Sequence, residues 1–385
     1  MDVDASRGLL GYLAQMPDPR ADNARHRLLD ILAITILAVI SRCDDWIEIA
    51  AWGRAQRDWL GEFLELSHGV PSHDTFGRVF ARMDPEELER CVAGFLSGLV
   101  QASGGKLIAI DGKTLRRSFE AGGRKAAIHM VSAWCSINHL TLGQLATDAK
   151  SNEITAIPKL LALLDIRGAL VSIDAMGTQK QIARQIVEQR GDYLLAVKDN
   201  HKTLHDDVRL FMDEAIAGGW EGMTHDYCQD VDADHGRLEV RRCWVSDDVR
   251  WLRRQGHDWP RIGGLVCVES ERQVFGVDAQ PTIERRYYIT SRKPCREGAA
   301  AMLEATRAHW GIENKVHWCL DMVFGEDRSR VRKGHAAENL SRFRRLALTL
   351  VRRMQQVKPN TSLKVRRLMC SWDRQTLLNV LCGKG

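Results

Sequence analysis

The first hundred residues carry apolar positions at helical spacing. Residues 28–40 are almost entirely apolar and predict a buried helix, and the tryptophan and aliphatic positions of 45–66 predict a second. A third helix is expected to start near Pro71 and Ser72 and to run through residues 75–82. A fourth is expected to begin at Pro85, because Asp84 is a favoured N-cap and proline is favoured at the first helical position. The pattern predicts an all-helical N-terminal domain over residues 1–103.

The third and fourth helices are joined by a tight turn near Met83. Two helices joined in this way are compatible with a helix-turn-helix that reads DNA. They are equally compatible with a small helical packing module that contacts no DNA. The pattern leaves both interpretations open.

From residue 106 the helical spacing gives way to short apolar strands. Strands are predicted over 106–111, 128–136, 139–147, 169–174 and 193–198, and helices over 154–165 and 178–190. Thr178 and Gln181 have the spacing of a capping box, which predicts the start of the second of these helices. Three strands followed by helix, strand, helix and strand are the order of an RNase H-like fold. In that fold the first and fourth strands lie side by side.

The pattern breaks again over residues 201–290, where short strand-like runs alternate with turn residues. The runs at 237–245, 262–271 and 284–290 predict strands, and helical spacing returns over 298–322 and 336–356. We therefore predict an α/β fold with an RNase H-like core preceded by the helical domain. The core is expected over 104–200 and 291–356, a mostly β insertion over 201–290, and a C-terminal tail over 357–385.

Two of the predicted core strands end on an aspartate. Asp111 follows the apolar run that begins at residue 107, and Asp174 follows a second apolar run. Because the first and fourth strands of this fold are adjacent, the two carboxylates are expected to be neighbours. Carboxylate oxygens are the ligands that Mg²⁺ prefers, and two such ions can hold both oxygens of an in-line displacement at phosphorus. The alternative for each residue is a helix cap or a turn.

A third acid is harder to choose, because five acids lie in the helical region that follows the insertion. They are Glu304, Glu313, Asp321, Glu326 and Asp327. Glu313 shares a helical face with His309 and His317, four residues to either side. This stripe is also compatible with a zinc site, although it lacks the His-Glu-x-x-His spacing of zinc proteases. The spacing alone leaves the third acid open.

Charge is concentrated near the C-terminus. The whole chain has a net charge of +5, whereas residues 328–367 contain 13 Lys and Arg residues and one acid, Glu338. We interpret this segment as a surface that faces nucleic acid, because phosphate binding needs such a density of cations. A solvated helix is the alternative, since apolar residues are interleaved with the cations.

Other features limit the location of the protein. The longest apolar stretch, 31–40, is too short to span a bilayer, and the first residues lack the pattern of a signal peptide. We therefore expect a cytoplasmic protein without membrane contact. The ten cysteines contain no C-x-x-C pair, so reduced thiols are expected and a cysteine-based zinc site is not.

Several motifs resemble the DDE insertion-sequence transposases, and among them the branch that contains the H-repeat-associated proteins. The match covers essentially the whole chain and its motifs occur in the right order. They are VPSHDTF at 70–76, IAIDGK at 108–113, KSNEITAIP at 150–158, SIDAMG at 172–177, HWGIEN at 309–314, HWCLD at 317–321 and FGED at 324–327.

The resemblance implies an RNase H-like catalytic core in which Asp111, Asp174 and Glu313 bind two Mg²⁺ ions, with Mn²⁺ as a possible substitute. It implies a nucleoid-associated transposase that cuts DNA at the ends of an insertion element and joins them to target DNA. A homodimer is expected, because two ends must be held together. Two alternatives share the fold: an inactive DNA-binding remnant or regulator, and a host RNase H-like nuclease.

One departure from the family concerns the residues around the third acid. The wider group carries a Tyr-x2-Arg-x3-Glu-x6-Lys signature, and this chain has Thr306, His309, Glu313 and Leu320 at those positions. The hairpin route of some relatives is therefore unsupported. We interpret a set of cations and histidines as DNA contacts, with ordinary solvated side chains as the alternative. The set is Lys113, Arg116, Arg117, Lys198, His309, Lys315, His317, Arg328, Arg330, Arg332 and Lys333.

Overall fold

A computed structural model describes most of the chain, namely residues 8–21, 24–101, 107–119, 126–136, 140–147, 153–234, 236–275, 280–354 and 360–383. The helices of these residues are α1 Leu9–Leu13, α2 Leu28–Ile40, α3 Trp46–Ala55, α4 Arg57–Leu60, α5 His73–Arg82, α6 Pro85–Gln101, α7 Glu153–Ala162, α8 Lys180–Glu188, α9 Lys202–Ala217, α10 Arg250–Arg254, α11 Pro294–Glu297, α12 Ala299–Gly311, α13 Trp318–Met322, α14 Ala336–Arg353, α15 Leu363–Trp372 and α16 Arg374–Leu381. A π-helical turn, Ile312–His317, joins α12 to α13.

The strands form one continuous sheet. They are β1 Leu107–Thr114, β2 His129–Cys135, β3 Leu140–Ala146, β4 Leu170–Ile173, β5 Asp192–Val197, β6 His225–Asp234, β7 Arg237–Ser246, β8 Gly264–Val274 and β9 Thr282–Thr290. Their order across the sheet is β3-β2-β1-β4-β5-β9-β8-β7-β6. Strand β1 runs parallel to β4, β4 runs parallel to β5, and the other neighbours are antiparallel.

The predicted fold class is confirmed. Strands β1 to β5 have the RNase H-like arrangement, with β1 beside β4. The predicted insertion strands appear as β7, β8 and β9, and they extend the same sheet from its β5 edge. Strand β6 was not predicted, because its sequence HDYCQDVDAD is mostly polar, as suits a strand at the edge of the sheet. Helix α9 at the start of the insertion was also not predicted.

The helical domain is assembled from both ends of the chain. Helix α2 is buried along almost its whole length, and α14 packs on α2 and α5 in the same apolar core. Residues of α15 and α16 join this core through Cys370, Leu377 and Leu381. The prediction of a C-terminal tail is therefore wrong for residues 360–383, and α14 belongs to the helical core as much as to the catalytic one.

Local signals were accurate at some helix starts and wrong at others. Helix α2 has the predicted bounds, and α6 begins at Pro85 with the Asp84 side chain accepting a hydrogen bond from the Glu86 amide at 2.8 Å. The predicted capping box is wrong: α8 begins at Lys180, and the Thr178 hydroxyl instead donates to the carbonyls of Asp174 and Ala196. The predicted helix over 45–66 divides into α3 and α4. No helix in the described ranges is long and apolar enough to cross a membrane.

Candidate active site

The two aspartates occupy neighbouring positions on the sheet. The last parallel pair between β1 and β4 is Ile110 with Ile173. Asp111 directly follows Ile110, and Asp174 directly follows Ile173. Strand β4 ends at Ile173, but β1 continues to Thr114 by pairing with β2. The prediction that Asp111 ends its strand is therefore wrong, whereas the predicted adjacency of the two acids is observed. The Gly177 amide donates to Asp174 Oδ1 at 3.1 Å.

Glu313 lies in the π-helical turn between α12 and α13, and its side chain is exposed. A π turn inserts one extra residue into a helix, and such turns are frequent at functional sites. The residues on either side of Glu313 consequently meet different partners. His309 Nδ1 lies 3.1 Å from Ser172 Oγ on β4, whereas His317 Nδ1 lies 3.6 Å from Asp111 Oδ2 on β1. The predicted His-Glu-His stripe is therefore divided between two strands.

A fourth acid, Glu153, was not singled out from the sequence. It is the first residue of α7, and its Oε1 lies 2.7 Å from His129 Nε2 on β2. This pair packs directly over Gly112, where a Cβ atom would collide with the Glu153 carboxylate and with the imidazole. Its position within the KSNEITAIP motif was the only available signal. The motif residues 150–152 lie outside the described residues.

The four acids influence one another electrostatically. Burial raises the pKa of Asp111 to about 7, and the charges of Glu153, Asp174 and Glu313 add to this rise. Burial likewise raises the pKa of Asp174, Glu153 adds to the rise, and Lys198 opposes it. A cluster of carboxylates with so little compensating positive charge is suited to bind a divalent cation through hard oxygen ligands.

The donor set thus fits Mg²⁺, although it is not a closed cage. Among the described residues, no three His, Cys, Asp or Glu side chains stand close enough together to form a ready-made metal site. Mg²⁺ usually takes only one or two protein carboxylates and keeps several waters, so an open arrangement is compatible with it. The zinc interpretation of His309, Glu313 and His317 finds no support, because the two histidines face different strands.

One of the predicted DNA contacts, Lys113, is buried, and two others, His309 and His317, are half-buried. Lys113 is only 8% exposed, and its Nζ lies 2.7 Å from Asp321 Oδ1 and 3.2 Å from Asp327 Oδ1. Burial lowers the pKa of His309 to about 4 and that of His317 to about 3, so both rings are neutral at pH 7. The assignment of Lys113 to DNA is therefore wrong, because its ammonium group is held by buried carboxylates, whereas the assignment of His309 and His317 to DNA stays a prediction.

The other predicted cations remain available to a ligand. Arg116 pairs with Asp327 at 3.3 Å while 79% of its side chain is exposed, and Arg332 donates to the Arg117 carbonyl at 3.0 Å. Residues 329–333 run without regular secondary structure beside α5 and line a groove of about 730 Å³. The exposed members of the predicted set are Arg116, Arg117, Lys198, Lys315, Arg328, Arg330 and Lys333.

Five of the thirteen cations of the C-terminal charge block are buried, which corrects the prediction of one DNA-facing surface. Arg342, Arg344 and Arg345 of α14 are buried, as are Arg366 and Arg367 of α15. They bind carboxylates and backbone carbonyls of the helical core, including Glu89, Glu326 and the carbonyls of Val39 and Asp44. Among the described residues of the block, the exposed cations are Arg328, Arg330, Lys333 and Lys364.

Comparisons with known proteins show which family the chain belongs to. A family model described as "Transposase DDE domain" matches residues 102–350, and one described as "DDE_Tnp_1-associated" matches residues 10–96. The chain belongs to the DDE transposase family. The first match spans the sheet, the insertion and α14, and the second spans the N-terminal helices. The expected resemblance is thereby confirmed.

Two relatives of this DDE transposase chain match nearly its full length. It is 36% identical to the H repeat-associated putative transposase YhhI of Escherichia coli (strain K12), over 98% of both chains. It is 38% identical to the putative transposase YncI of Escherichia coli O157:H7, over 94% of this chain and 92% of the relative. A solved piggyBac transposase synaptic complex with hairpin DNA covers 97% of this chain and 77% of that chain, with a TM-score of 0.40 and 10% identity. A likeness of that size carries no argument.

Proposed function

We propose that this chain is a metal-dependent DNA transposase that cleaves the ends of its insertion element and transfers them to target DNA. The observation that carries the proposal is the adjacency of Asp111 and Asp174 after the last paired residues of β1 and β4, with Glu313 supplied by the π-helical turn. The negative charges of Asp174 and Glu313 both add to the rise in the pKa of Asp111. Membership of the DDE transposase family also supports the proposal of a metal-dependent transposase.

In this proposal Asp111, Asp174 and Glu313 hold two Mg²⁺ ions, which Mn²⁺ can replace. When bound, the ions supply Lewis-acid stabilisation for the attacking and leaving oxygens of the phosphoryl transfer. The protein positions DNA and stabilises charge, and it forms no covalent bond to DNA. Water is the nucleophile of the first step, and the freed 3′-hydroxyl of DNA is the nucleophile of the second.

The exposed cations are assigned to DNA. The charge of Lys198 opposes the rise in the pKa of Asp174, and its side chain is exposed, which supports its assignment to the strand that is cut. Arg116 and the surface cations of 328–333 are assigned to phosphates farther from the site, which set position and affinity rather than sequence preference. We further propose that a homodimer holds the two element ends at the nucleoid.

The test is strand cleavage of a labelled duplex that carries the end sequence of the gene's own element, with a duplex of unrelated sequence beside it. Wild type with Mg²⁺ should nick the end, and EDTA or the Glu313→Gln substitution should abolish nicking while leaving DNA binding unchanged. Glu304→Gln is the matched control, because Glu304 is an exposed acid of α12. Tight binding without nicking by wild type would favour an inactive remnant, and nicking without preference for the end sequence would favour a nuclease.

A further inference from the structure

The π-helical turn that carries Glu313 is attached to the catalytic sheet on both sides. We propose that two side-chain bridges, Ser172–His309 and Lys113–Asp321, position Glu313 over Asp111 and Asp174. The inference rests on the proposed function, because it assigns a role within the same site. It makes the four bridge residues positioning residues that contact neither metal nor DNA.

The first bridge joins β4 to α12. Ser172 precedes Asp174 by two residues, and His309 precedes Glu313 by four. Ser172 is buried in the sheet, and its Oγ lies 3.1 Å from His309 Nδ1. The contact therefore links the strand of the second acid to the helix of the third, just before the π turn begins.

The second bridge joins β1 to α13. Lys113 follows Asp111 by two residues, so both side chains point to the same face of the sheet. Asp321 follows Glu313 by eight residues, and it accepts a hydrogen bond from Lys113 Nζ at 2.7 Å. Asp327 Oδ1 at 3.2 Å and Glu326 Oε2 at 3.7 Å complete a largely buried ionic cluster around this lysine. Such a cluster holds a fixed geometry, because its charges have little access to water.

The π turn between the bridges packs closely on the protein interior. Ile312 and Val316 are fully buried in the helical core. Gly311, immediately before the turn, approaches the ring of Trp134 on β2 so closely that a Cβ atom would lie 2.9 Å from its Cζ3 atom. The turn is therefore held at a fixed distance from the sheet, and the two bridges prevent the helix from rotating.

The extra residue of the π turn sets the direction of Glu313. A regular α-helix turns by about 100° per residue, so loss of the inserted residue would rotate one end of the helix by about that angle relative to the other. The bridges fix the residues on both sides of the insertion to different strands, which keeps the insertion in place. Opening either bridge removes this constraint and lets Glu313 leave the two aspartates.

The experiment maps bound metal rather than activity alone. Fe²⁺ replaces Mg²⁺ in the folded protein, and ascorbate with peroxide then cuts the backbone next to the bound ion. Wild type should be cut near residues 111, 174 and 313. For Ser172→Ala, His309→Ala and Asp321→Ala, the yield of the cut near 313 should fall at least tenfold, whereas the cuts near 111 and 174 should remain. Nicking should fall at least tenfold, and the Kd for DNA should stay within twofold.

Two further variants separate positioning from general damage. His309→Asn should retain the cut near 313, because the asparagine amide places a polar atom near the position of Nδ1 and can still bond to Ser172. Asp206→Asn breaks an exposed 2.8 Å pair with Lys202 on α9, and it should change nothing. Thermal unfolding verifies that each variant is folded, and Ser172→Ala, which removes a single oxygen, is the least disruptive of them.

The outcomes distinguish the inference from the proposed function. If the bridge variants keep all three cuts and the wild-type nicking rate, the bridges do not position Glu313, although the metal site stands. If the cut near 313 is lost for His309→Asn as well as for His309→Ala, the Ser172 bond is not the cause and the inference fails. If wild type shows none of the three cuts, the proposed metal site itself is wrong.

Discussion

Replacing Arg342 with methionine should destabilise the protein without weakening its binding to DNA. The Arg342 side chain on α14 is 1% exposed; its Nε lies 2.8 Å from Glu89 Oε2, and its Nη1 lies 3.0 Å from Glu338 Oε1. The Glu89 side chain is 2% exposed, and it also accepts a hydrogen bond at 2.8 Å from the backbone amide of Gln144 on β3. Methionine removes this cation and leaves the buried Glu89 carboxylate without its hydrogen-bonded counter-charge, so that only the weaker effect of Arg345 remains.

The size of the effect follows from the burial of the pair. Removing one partner of a buried ion pair costs about 3–5 kcal/mol, because the remaining charge cannot reach water. Burial already raises the pKa of Glu89, and Arg342 is the main group that opposes the rise. Without Arg342, Glu89 takes up a proton on folding, so stability falls as the pH rises through the folded-state pKa. The loss of unfolding free energy should therefore be smaller at pH 5 than at pH 8.

Urea unfolding at the two pH values measures this loss, and DNA affinity is measured on the same preparations. Arg184→Met is the control, because Arg184 is exposed on α8, and it should change stability by less than about 0.5 kcal/mol. The double variant Glu89→Gln with Arg342→Met should regain most of the loss, because glutamine still accepts from the Gln144 amide. If the Arg342→Met protein had unchanged stability and reduced DNA affinity, the reasoning would be refuted. The result would mean that α14 faces DNA.

Three further predictions follow from the site and its surroundings. Gly112→Ala should reduce single-turnover nicking at least tenfold, because the added methyl group displaces the side chains packed above β1; an unchanged rate would show that they are not needed. Replacing Arg328, Arg330 and Lys333 with alanine should lower the slope of log Kd against log salt by about 3, since each phosphate contact contributes about 0.9; a slope equal to wild type would remove this segment from the DNA surface. Truncation before residue 360 should lower the Tm and expose the apolar surface of α2, as detected by ANS fluorescence, and an unchanged Tm would contradict the packing of α15 and α16.

The core of the fold was predictable because its signals are local. Apolar runs that end in an acid gave β1 and β4, and the order of strands and helices gave their adjacency. The sequence alone therefore predicts that Asp111 and Asp174 are neighbours. The insertion strands were predicted for the same reason, except β6, whose polar sequence resembles a loop until a neighbouring strand satisfies its backbone.

The surroundings of the site were less predictable because they depend on contacts between distant segments. The π turn at 312–317 has no signature in a single sequence, and it sends His309 and His317 to different strands. Counting charges cannot show that Arg342 meets Glu89, which lies some 250 residues earlier. Lys113 was read as a surface cation for the same reason, since Asp321 and Asp327 lie some 200 residues after it.

The most direct test of the account is iron-mediated cleavage of the wild-type polypeptide with increasing Mg²⁺ as competitor. The account predicts cuts near residues 111, 174 and 313, all suppressed at the same Mg²⁺ concentration, because the three acids share one metal centre. Cuts confined to one of these positions, or cuts that respond to different Mg²⁺ concentrations, would contradict a single centre built from Asp111, Asp174 and Glu313.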